Sequence, residues 1–269
     1  MTGFSADWLA LREPHDARAR NPAVLNAVVA SLKGYPSIRI VDLACGTGST
    51  LRVLAPQFPT GQHWRLVDND LSLLARAAAM APPAGGTFTT APLDLNRDLE
   101  AALDGPIDLL TTSALLDLVS EAWLDRLVVE TLARSIPIYA ALSYDGRIEI
   151  SPSHSLDAAI VAAVNAHQRR DKGFGPALGP MAASAAIARF ESLGYSVVYG
   201  AADWVIGPQD REIQLEIFAG WASAAREIGD LPLADTVQWL TFHRDEIAAG
   251  CSSLRVGHVD IFARPIGTR

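Results

Sequence analysis

The sequence predicts an α/β fold: a seven-stranded, mostly parallel sheet with helices on both faces and an antiparallel last strand. Short apolar, β-branched runs alternate with stretches of helical spacing, an order that is typical of parallel sheets. The first run, residues 38–43, leads into a glycine-rich turn, and the last, residues 254–264, alternates apolar and polar positions. With 269 residues, 49% of them apolar, the chain can bury one large core, so we expect a single domain over residues 1–269.

The composition argues against several classes of protein. The net charge of −8 disfavours a broad nucleic-acid-binding surface. No apolar run approaches the roughly 18 residues that a membrane span needs, and residues 1–7 lack the pattern of a secretory leader. Two cysteines, Cys45 and Cys251, form neither a disulfide framework nor a metal-ligand pair. We therefore expect a reduced, cytoplasmic protein with no bound metal and no membrane partner.

The first half of the chain predicts helices and strands in regular order. Asn21-Pro22 separates two helices within residues 5–33, since proline is favoured at the start of a helix. After the strand at 38–43, periodicity predicts strands at 62–67, 87–91 and 107–113, and helices at 71–80 and 121–135.

Regular spacing ends after the fifth strand, which is predicted at residues 137–142. Residues 143–181 are too long for a plain connection within a compact sheet, so we expect an insertion that forms a lid or substrate wall between strands five and six. Residues 195–199 and 203–206 predict the sixth strand, or one strand with a bulge. Further helices are predicted at 156–168, 181–193, 210–228 and 233–249.

The glycine turn at residues 46–48 predicts a ligand site, whereas the glycine pair alone also fits an ordinary strand-to-helix turn of another α/β protein. Glycines let a ligand approach the backbone, and the start of a helix presents unpaired N–H groups. A dinucleotide site needs a small residue where this chain has Leu51, and Asp42 would repel a pyrophosphate. S-adenosylmethionine (SAM), which carries an ammonium and a sulfonium, suits this acidic setting better.

The motif Asp42-x-Ala44-x-Gly46-x-Gly48 resembles motif I of the class I SAM-dependent methyltransferases, with Ala44 in place of the usual first glycine. The resemblance implies SAM as the cofactor, with the glycine turn behind it and Asp42 serving its methionine amino group. It also implies a helical cap, residues 1–35, over the cofactor and a last strand inserted beside the sixth.

Further residues match the family's cofactor contacts. Asp68, at the tip of the second strand, can accept both ribose hydroxyls or cap the following helix, a role for which Asp70 is better placed. The resemblance places Asp94 at the adenine amino group and Leu95 against the ring. Arg12 either binds the methionine carboxylate or is an ordinary solvated arginine. The remaining predicted contacts are Cys45, Asn69 and Ser113.

The predicted activity is SAM-dependent methyl transfer to a small-molecule acceptor, at oxygen or nitrogen, by in-line displacement. The acceptor motifs of nucleic-acid methylases, Asn/Asp-Pro-Pro-Tyr/Phe and Pro-Cys, are missing after the fourth strand. Ser113 stands where metal-dependent catechol-type enzymes carry an aspartate, so no catalytic metal is expected. Two alternatives stay open: a nucleic-acid methyltransferase of the same fold and a non-catalytic SAM-binding protein.

Candidate acceptor-binding and catalytic residues follow the fourth strand. Asp117 faces either the substrate or solvent. Arg169 and Lys172 belong to a basic cluster that either recognises an acidic group on the acceptor or forms a solvated helix end. His167, and after it His154, could act as a general base because imidazole titrates near neutral pH, although a structural role stays open for both.

Overall fold

The computed structural model describes residues 4–58 and 61–267. Its strands are β1 (Ile38–Leu43), β2 (Gln62–Asp68), β3 (Thr87–Pro92), β4 (Leu109–Ser113), β5 (Ile138–Ser151), β6 (Tyr195–Ala201), β7 (Trp204–Ile206) and β8 (Ser253–Pro265). They form one sheet in the order β3-β2-β1-β4-β5-β8-β6, and β7 pairs with β8 outside this path.

The sheet confirms the predicted fold. Strands β1 to β5 pair in parallel, whereas β8 lies antiparallel between β5 and β6. All residues of β1 except Arg39 are buried, because helices cover both faces of the central strands. The carboxyl ends of β1, β2, β4 and β5 therefore meet along one edge.

Two strands differ from the prediction. β5 continues through residues 143–151, which we expected to begin the insertion, because β8 lies antiparallel beside it as far as the Ser151–Ser253 pair. Residues 195–206 form two separate strands, β6 and β7, which pair with different parts of β8. The sheet therefore extends beyond its parallel part as an antiparallel region in which β8 pairs with β5 on one side and with β6 and β7 on the other.

Helices flank the sheet as expected. They are α1 (Ala6–Ala19), α2 (Pro22–Ser31), α3 (Ser49–Leu54), α4 (Leu71–Ala78), α5 (Leu99–Ala102), α6 (Glu121–Ala133), α7 (Asp157–Gln168), α8 (Ala182–Ser192), α9 (Arg211–Ile228) and α10 (Leu233–Ala249). The side chains of Ser5 and Asn21 accept backbone N–H groups at the starts of α1 and α2, which confirms the predicted break between these helices.

Three apolar clusters hold the layers together. One, around Trp123, lies between the sheet and helices α5, α6 and α8. The second, around Trp64, lies on the other face against α2, α3 and α4. The third surrounds Phe218 and Trp239, where α7, α9 and α10 pack on the antiparallel region. This third cluster fixes α7 and α9 beside the edge where the parallel strands end.

Asp260 of β8 joins the helical N-terminal region to the sheet. Its Oδ2 accepts the Asn21 backbone N–H and the Tyr139 hydroxyl, both at 2.9 Å, and its Oδ1 accepts the Leu142 N–H at 2.8 Å. Arg20 Nη1 donates to the Tyr139 hydroxyl at 3.3 Å. The junction of α1 and α2 is thus bonded to β5 and β8 through buried polar groups.

Within the described residues, no helix combines the length and apolar character of a membrane-spanning segment. Nor do three His, Cys, Asp or Glu side chains converge in this part of the chain as a metal site requires.

Candidate active site

A cavity of about 1280 Å³ opens where the parallel strands end. It exceeds the roughly 300–1,000 Å³ of most single-ligand pockets, so it has room for two molecules. The strand-end wall, formed after β1, β2 and β4, includes Ala44, Gly46, Asp68 and Ser113. The second wall, formed by α1, β5, α7, β7, β8 and loops, includes Arg12, Asp117, Tyr144, Lys172, Trp204 and His258.

The strand-end wall begins with the turn after β1. Gly46 and Gly48 have φ angles of +54° and +83°, in the left-handed region that glycine adopts without strain. A Cβ atom on Gly46 would lie 3.1 Å from Leu9 Cδ1 of α1, which is tighter than ordinary contact. The turn therefore presents bare backbone to the cavity.

Asp68, at the end of β2, fastens this turn. Its Oδ2 accepts the Gly46 N–H at 2.8 Å, and its Oδ1 accepts the Asp70 N–H at 3.0 Å. Asp70 itself caps α4 by accepting the N–H groups of Ser72 and Leu73, so Asp68 is not needed as a cap. Burial raises the pKa of Asp68. Each of its oxygens can accept one more hydrogen bond from a ligand.

Asp42 is a fully buried carboxyl group at the end of β1. Its Oδ1 accepts a hydrogen bond from Thr111 Oγ1 at 2.8 Å, whereas its Oδ2 has no hydrogen-bond partner among the described residues. Burial raises the pKa of Asp42 to about 7, although Thr111 and Thr50 favour the ionised form. Thr50 also lines the cavity, so a cation bound there would stabilise the carboxylate beneath it.

Three non-glycine residues with positive φ line the cavity. Ala44, Ala114 and Leu142 have φ angles of +53°, +51° and +55°. This conformation costs an L-residue about 1–2 kcal/mol, and such strain concentrates at functional sites. Elsewhere among the described residues, Ser135 alone shares it. Two of these residues directly follow β1 and β4, and Leu142 lies at the first register shift within β5, so the strained backbone makes this edge a candidate site.

Arg12 brings a positive charge from α1 into the second wall. Its Nε and Nη2 donate to the two carboxylate oxygens of Asp16 at 2.9 and 3.2 Å, and its guanidinium lies 5.0 Å from the centre of the Trp204 ring. Trp204 Nε1 donates to Asp16 Oδ1 at 2.9 Å. These contacts hold a buried arginine in one orientation at the wall of the cavity.

Asp117 lies in a short turn after β4 and is 5% exposed. Its Oδ1 has no hydrogen-bond partner within the described part of the chain. Burial raises the pKa of Asp117 to about 6, although Arg12, the backbone of Tyr144 and Lys172 favour the ionised form. The second wall thus contains a carboxyl group that takes up a proton in mildly acidic solution.

Lys172, His167 and Glu227 form a chain of contacts beside the cavity. Lys172 Nζ lies 3.4 Å from His167 Nδ1, and His167 Nε2 lies 3.0 Å from Glu227 Oε2. Because an ammonium only donates, Nδ1 accepts and Nε2 carries the proton that is donated to Glu227. Arg170 Nη2 donates to the Glu227 carbonyl at 2.8 Å. All four side chains line the cavity, where burial lowers the pKa of Lys172.

Sequence comparison connects part of the chain to a methyltransferase. No protein-family model matches the chain. Over 150 residues it is 37% identical to trans-aconitate 2-methyltransferase of Streptomyces avermitilis, a match that covers 52% of this chain and 51% of that protein. The chain thus spans about half the length of this relative.

Solved structures share the fold over nearly the whole chain. A cyclopropane-fatty-acyl-phospholipid synthase-like protein from Lactobacillus casei aligns with a TM-score of 0.55 at 14% identity, covering 97% of this chain and 94% of that one. The cyclopropane synthase MmaA2 from Mycobacterium tuberculosis gives 0.51 at 11% identity, covering 97% and 95%. The chain has the class I methyltransferase fold.

The methyltransferase fold brings most of the predicted cofactor residues to the cavity. Asp42 lies beneath the wall, and Gly48 caps α3 without lining the cavity. Asp94 is also off the wall: its Oδ1 accepts the Asn96 N–H at 3.0 Å, and its Oδ2 pairs with Arg97 at 3.3 Å. Its adenine contact stays a prediction. The predicted residues that line the cavity are Arg12, Ala44, Cys45, Gly46, Asp68, Asn69, Leu95 and Ser113.

Three of the predicted acceptor-binding and catalytic residues line the same cavity of the methyltransferase fold. Asp117, His167 and Lys172 do, whereas Arg169 does not. His154 lies elsewhere, with its ring 5.0 Å from that of Phe242. The roles of all five stay predictions.

Sequence reasoning missed much of the second wall. These residues come from elements far apart in the chain, so no local motif unites them. The spacing of Arg12 and Asp16, four residues apart on one helix, was a usable signal for a fixed arginine. The missed residues are Asp16, Tyr144, Trp204, Trp221, Glu227 and His258.

Proposed function

We propose that this protein transfers a methyl group from SAM to a small acidic acceptor. One observation supports the cofactor above the others: bare backbone at Gly46 and the hydrogen-bonded carboxylate of Asp68 share one wall, and Asp42, whose Oδ2 is unpartnered among the described residues, lies buried beneath it. Hydroxyl donors and a cation are the ligand groups that such a set requires. SAM carries both in its ribose and its methionine end.

The residues present would hold SAM along the strand-end wall. Asp68 would accept the ribose hydroxyls, the turn at Gly46 would lie behind the cofactor, and Leu95 would pack against the adenine. Asp42 would face the methionine amino end from beneath Thr50. When bound, SAM supplies a methyl group that is already activated as a sulfonium.

The second wall supports an acidic acceptor. Arg12 and Lys172 line the cavity there, and each is held by a neighbouring side chain. The relative from Streptomyces avermitilis is named for trans-aconitate, a small carboxylic acid, which is compatible with these cations. We therefore propose that Arg12 and Lys172 hold the acceptor's acidic group, and that Arg12 serves the acceptor rather than the methionine carboxylate.

This chain's contribution to the reaction would be alignment and exclusion of water. Holding two reactants in line can supply roughly 7–11 kcal/mol of the barrier. An ionised carboxylate needs no base, whereas an alcohol or ammonium acceptor does. The base role predicted for His167 stays a prediction, because here its two ring nitrogens contact Lys172 and Glu227.

Thermal unfolding with candidate cofactors tests the cofactor assignment. A ligand present at 100 times its Kd stabilises the native state by about 2.7 kcal/mol, or roughly 5–10 °C for a chain of this length. We expect this shift with SAM and with S-adenosylhomocysteine, and none with NAD at equal concentration. Stabilisation by NAD alone would refute the proposal.

Transfer of a labelled methyl group from SAM to trans-aconitate tests the activity. Product that appears only with the acceptor present supports catalysis. Cofactor binding without any product from acidic acceptors would favour a non-catalytic SAM-binding protein instead.

A further inference from the structure

Asp117 has an unused hydrogen-bonding position inside the cavity. Its side chain is 5% exposed, lines the cavity, and leaves Oδ1 without a partner among the described residues. An unsatisfied buried polar group costs a protein about 1–3 kcal/mol. A ligand that bonds to Oδ1 would remove this penalty.

The neighbours of Asp117 restrict the ligand. Arg12 from α1 and Lys172 from the loop after α7 both act on its charge, and the backbone of Tyr144 lies on the β5 side. Lys172 and Arg12 would repel a cationic ligand, although Asp16 offsets part of the Arg12 charge. An anionic ligand would be attracted by them, yet repelled by an ionised Asp117.

A protonated Asp117 removes this conflict. A carboxylic acid has one O–H donor and no charge, so it can bond to an anionic oxygen. Burial raises the pKa of Asp117 to about 6, so its protonated form is accessible near neutral pH. A bound carboxylate would raise that pKa further, because two neighbouring carboxylates disfavour each other's ionisation.

We propose, on the basis of the proposed function, that Asp117 binds the acceptor as a neutral carboxylic acid and donates its O–H to a carboxylate oxygen that Arg12 and Lys172 also hold. The proton stays on Asp117 and is shared through the hydrogen bond. At neutral pH, acceptor binding therefore takes up a proton from solution. The preferred acceptor is a carboxylate, and an amine is excluded from this end of the cavity.

Other titratable groups face the same part of the cavity. They lie on α1, β5, α7, the loop after α7, α9 and β8, and are Asp16, Tyr144, His167, Arg170, Asp171, Glu216, Glu227 and His258. Burial lowers the pKa of His258 to about 4, below the range that matters here. A histidine that gained a proton would also favour an anion. The pH dependence of binding could therefore come from Asp117 or from a histidine, and substitution of Asp117 must distinguish the two.

Calorimetric titration of trans-aconitate into the protein saturated with S-adenosylhomocysteine tests this inference between pH 5.5 and 8. Carboxyl groups of this kind are ionised throughout that range. For the wild type we expect a Kd that is flat below pH 6 and rises by up to about tenfold per pH unit above it. Buffers of different ionisation enthalpy should report uptake of up to one proton.

Two variants and one ligand serve as controls. Asp117→Asn keeps a donor at every pH, so it should bind trans-aconitate as the wild type does at pH 5.5 and lose the pH dependence. Asp117→Ala should bind about tenfold more weakly at pH 5.5, with no pH dependence. Trimethyl trans-aconitate, which has no carboxylate, should not bind.

Several outcomes would overturn the inference. A Kd that does not change with pH, or one that falls as pH rises, contradicts a protonated Asp117. The same pH dependence in Asp117→Asn would assign the proton to a histidine. Binding of S-adenosylhomocysteine without binding of trans-aconitate overturns this inference alone, whereas loss of S-adenosylhomocysteine binding overturns the proposed function.

Discussion

The strand-end wall is made mainly of backbone turns, whereas the second wall is made of side chains from separate elements. Gly46 and Ala44 present main chain to the cavity, and Asp68 fastens that turn by accepting the Gly46 N–H. Arg12 and Lys172 reach the cavity as long side chains from α1 and from the loop after α7. A single substitution can therefore change the second wall's ligand without disturbing the first.

The two walls also differ in charge. Asp42 and Asp68 are carboxyl groups whose pKa values burial raises, so a bound cation would stabilise both. Arg12 and Lys172 are positively charged, so they favour an anion at the second wall. Under the proposed function, the strand-end wall would bind the cationic end of the donor and the second wall the acidic acceptor.

Asp68→Ala should produce the largest effect on the strand-end wall. Losing hydrogen bonds to an ionised acceptor costs about 1.5–3 kcal/mol, so we expect SAM to bind roughly 10- to 150-fold more weakly. Asp94→Ala is the matched control, because Asp94 is an aspartate after the next strand that does not line the cavity. Calorimetry measures the SAM affinity of both variants. An equal loss of affinity in Asp94→Ala would support the predicted contact between Asp94 and the adenine.

Lys172→Ala tests the second wall. We expect trans-aconitate to bind about tenfold more weakly, or roughly 1.4 kcal/mol, with SAM affinity unchanged. Arg169→Ala removes a neighbouring cation that does not line the cavity and should change neither constant. If Lys172→Ala weakens SAM binding instead, the division between the two walls is wrong.

Asp42→Asn tests the buried charge beneath the strand-end wall. Between its unfolded pKa of about 3.9 and its folded pKa of about 7, the folded protein retains a proton that the unfolded chain has released. Folding stability contributed by Asp42 is therefore present at low pH and lost as pH rises through this window. Urea unfolding should show that the free energy of unfolding of the variant, relative to that of the wild type, increases by about 1 kcal/mol per pH unit.

Asp94→Asn is the control for this pH series, because it makes the same chemical change at a half-exposed side chain. For Asp94→Asn, the difference from the wild type in the free energy of unfolding should not vary with pH. A pH-independent difference for Asp42→Asn as well would mean that Asp42 is ionised throughout.

Ala44→Gly should give the smallest effect. The left-handed backbone conformation costs alanine about 1–2 kcal/mol. Glycine avoids this cost, but its greater flexibility in the unfolded chain lowers the free energy of unfolding by about 0.4–1 kcal/mol. We expect a net gain of about 0.5–1 kcal/mol in the free energy of unfolding. Ala75→Gly, within the exposed face of α4, should instead destabilise by about 1 kcal/mol. Destabilisation by both would show that Ala44 is not strained.

The strand-end wall was predictable because its residues follow strands directly. Gly46 and Asp68 each lie at a strand end, and parallel strands bring such ends to one edge. Asp94 shows the limit of this reasoning. It occupies the expected position, but the Asn96 backbone and Arg97 bind its carboxylate locally.

The second wall was not predictable because its residues depend on long-range pairing. Which side chains of β5 and β8 face the cavity depends on an antiparallel register with two shifts, and neither strand reveals it alone. Tyr144 and His258 face each other across this pairing, with ring centres 6.1 Å apart. The same pairing extends β5 past residue 142, where the local pattern predicted its end.

Asp260 bonds parts of the chain that are synthesised at very different times. Its bond to the Asn21 N–H joins residues 239 positions apart, and its bonds to Tyr139 and Leu142 tie the same carboxylate to β5. A nascent chain therefore possesses the glycine turn and five parallel strands well before it can anchor α1 above them. Contacts of such long range form slowly. We infer that docking of the α1–α2 junction onto β8 is a late step, so a partly synthesised chain has no closed cavity in which to hold a reactive cofactor.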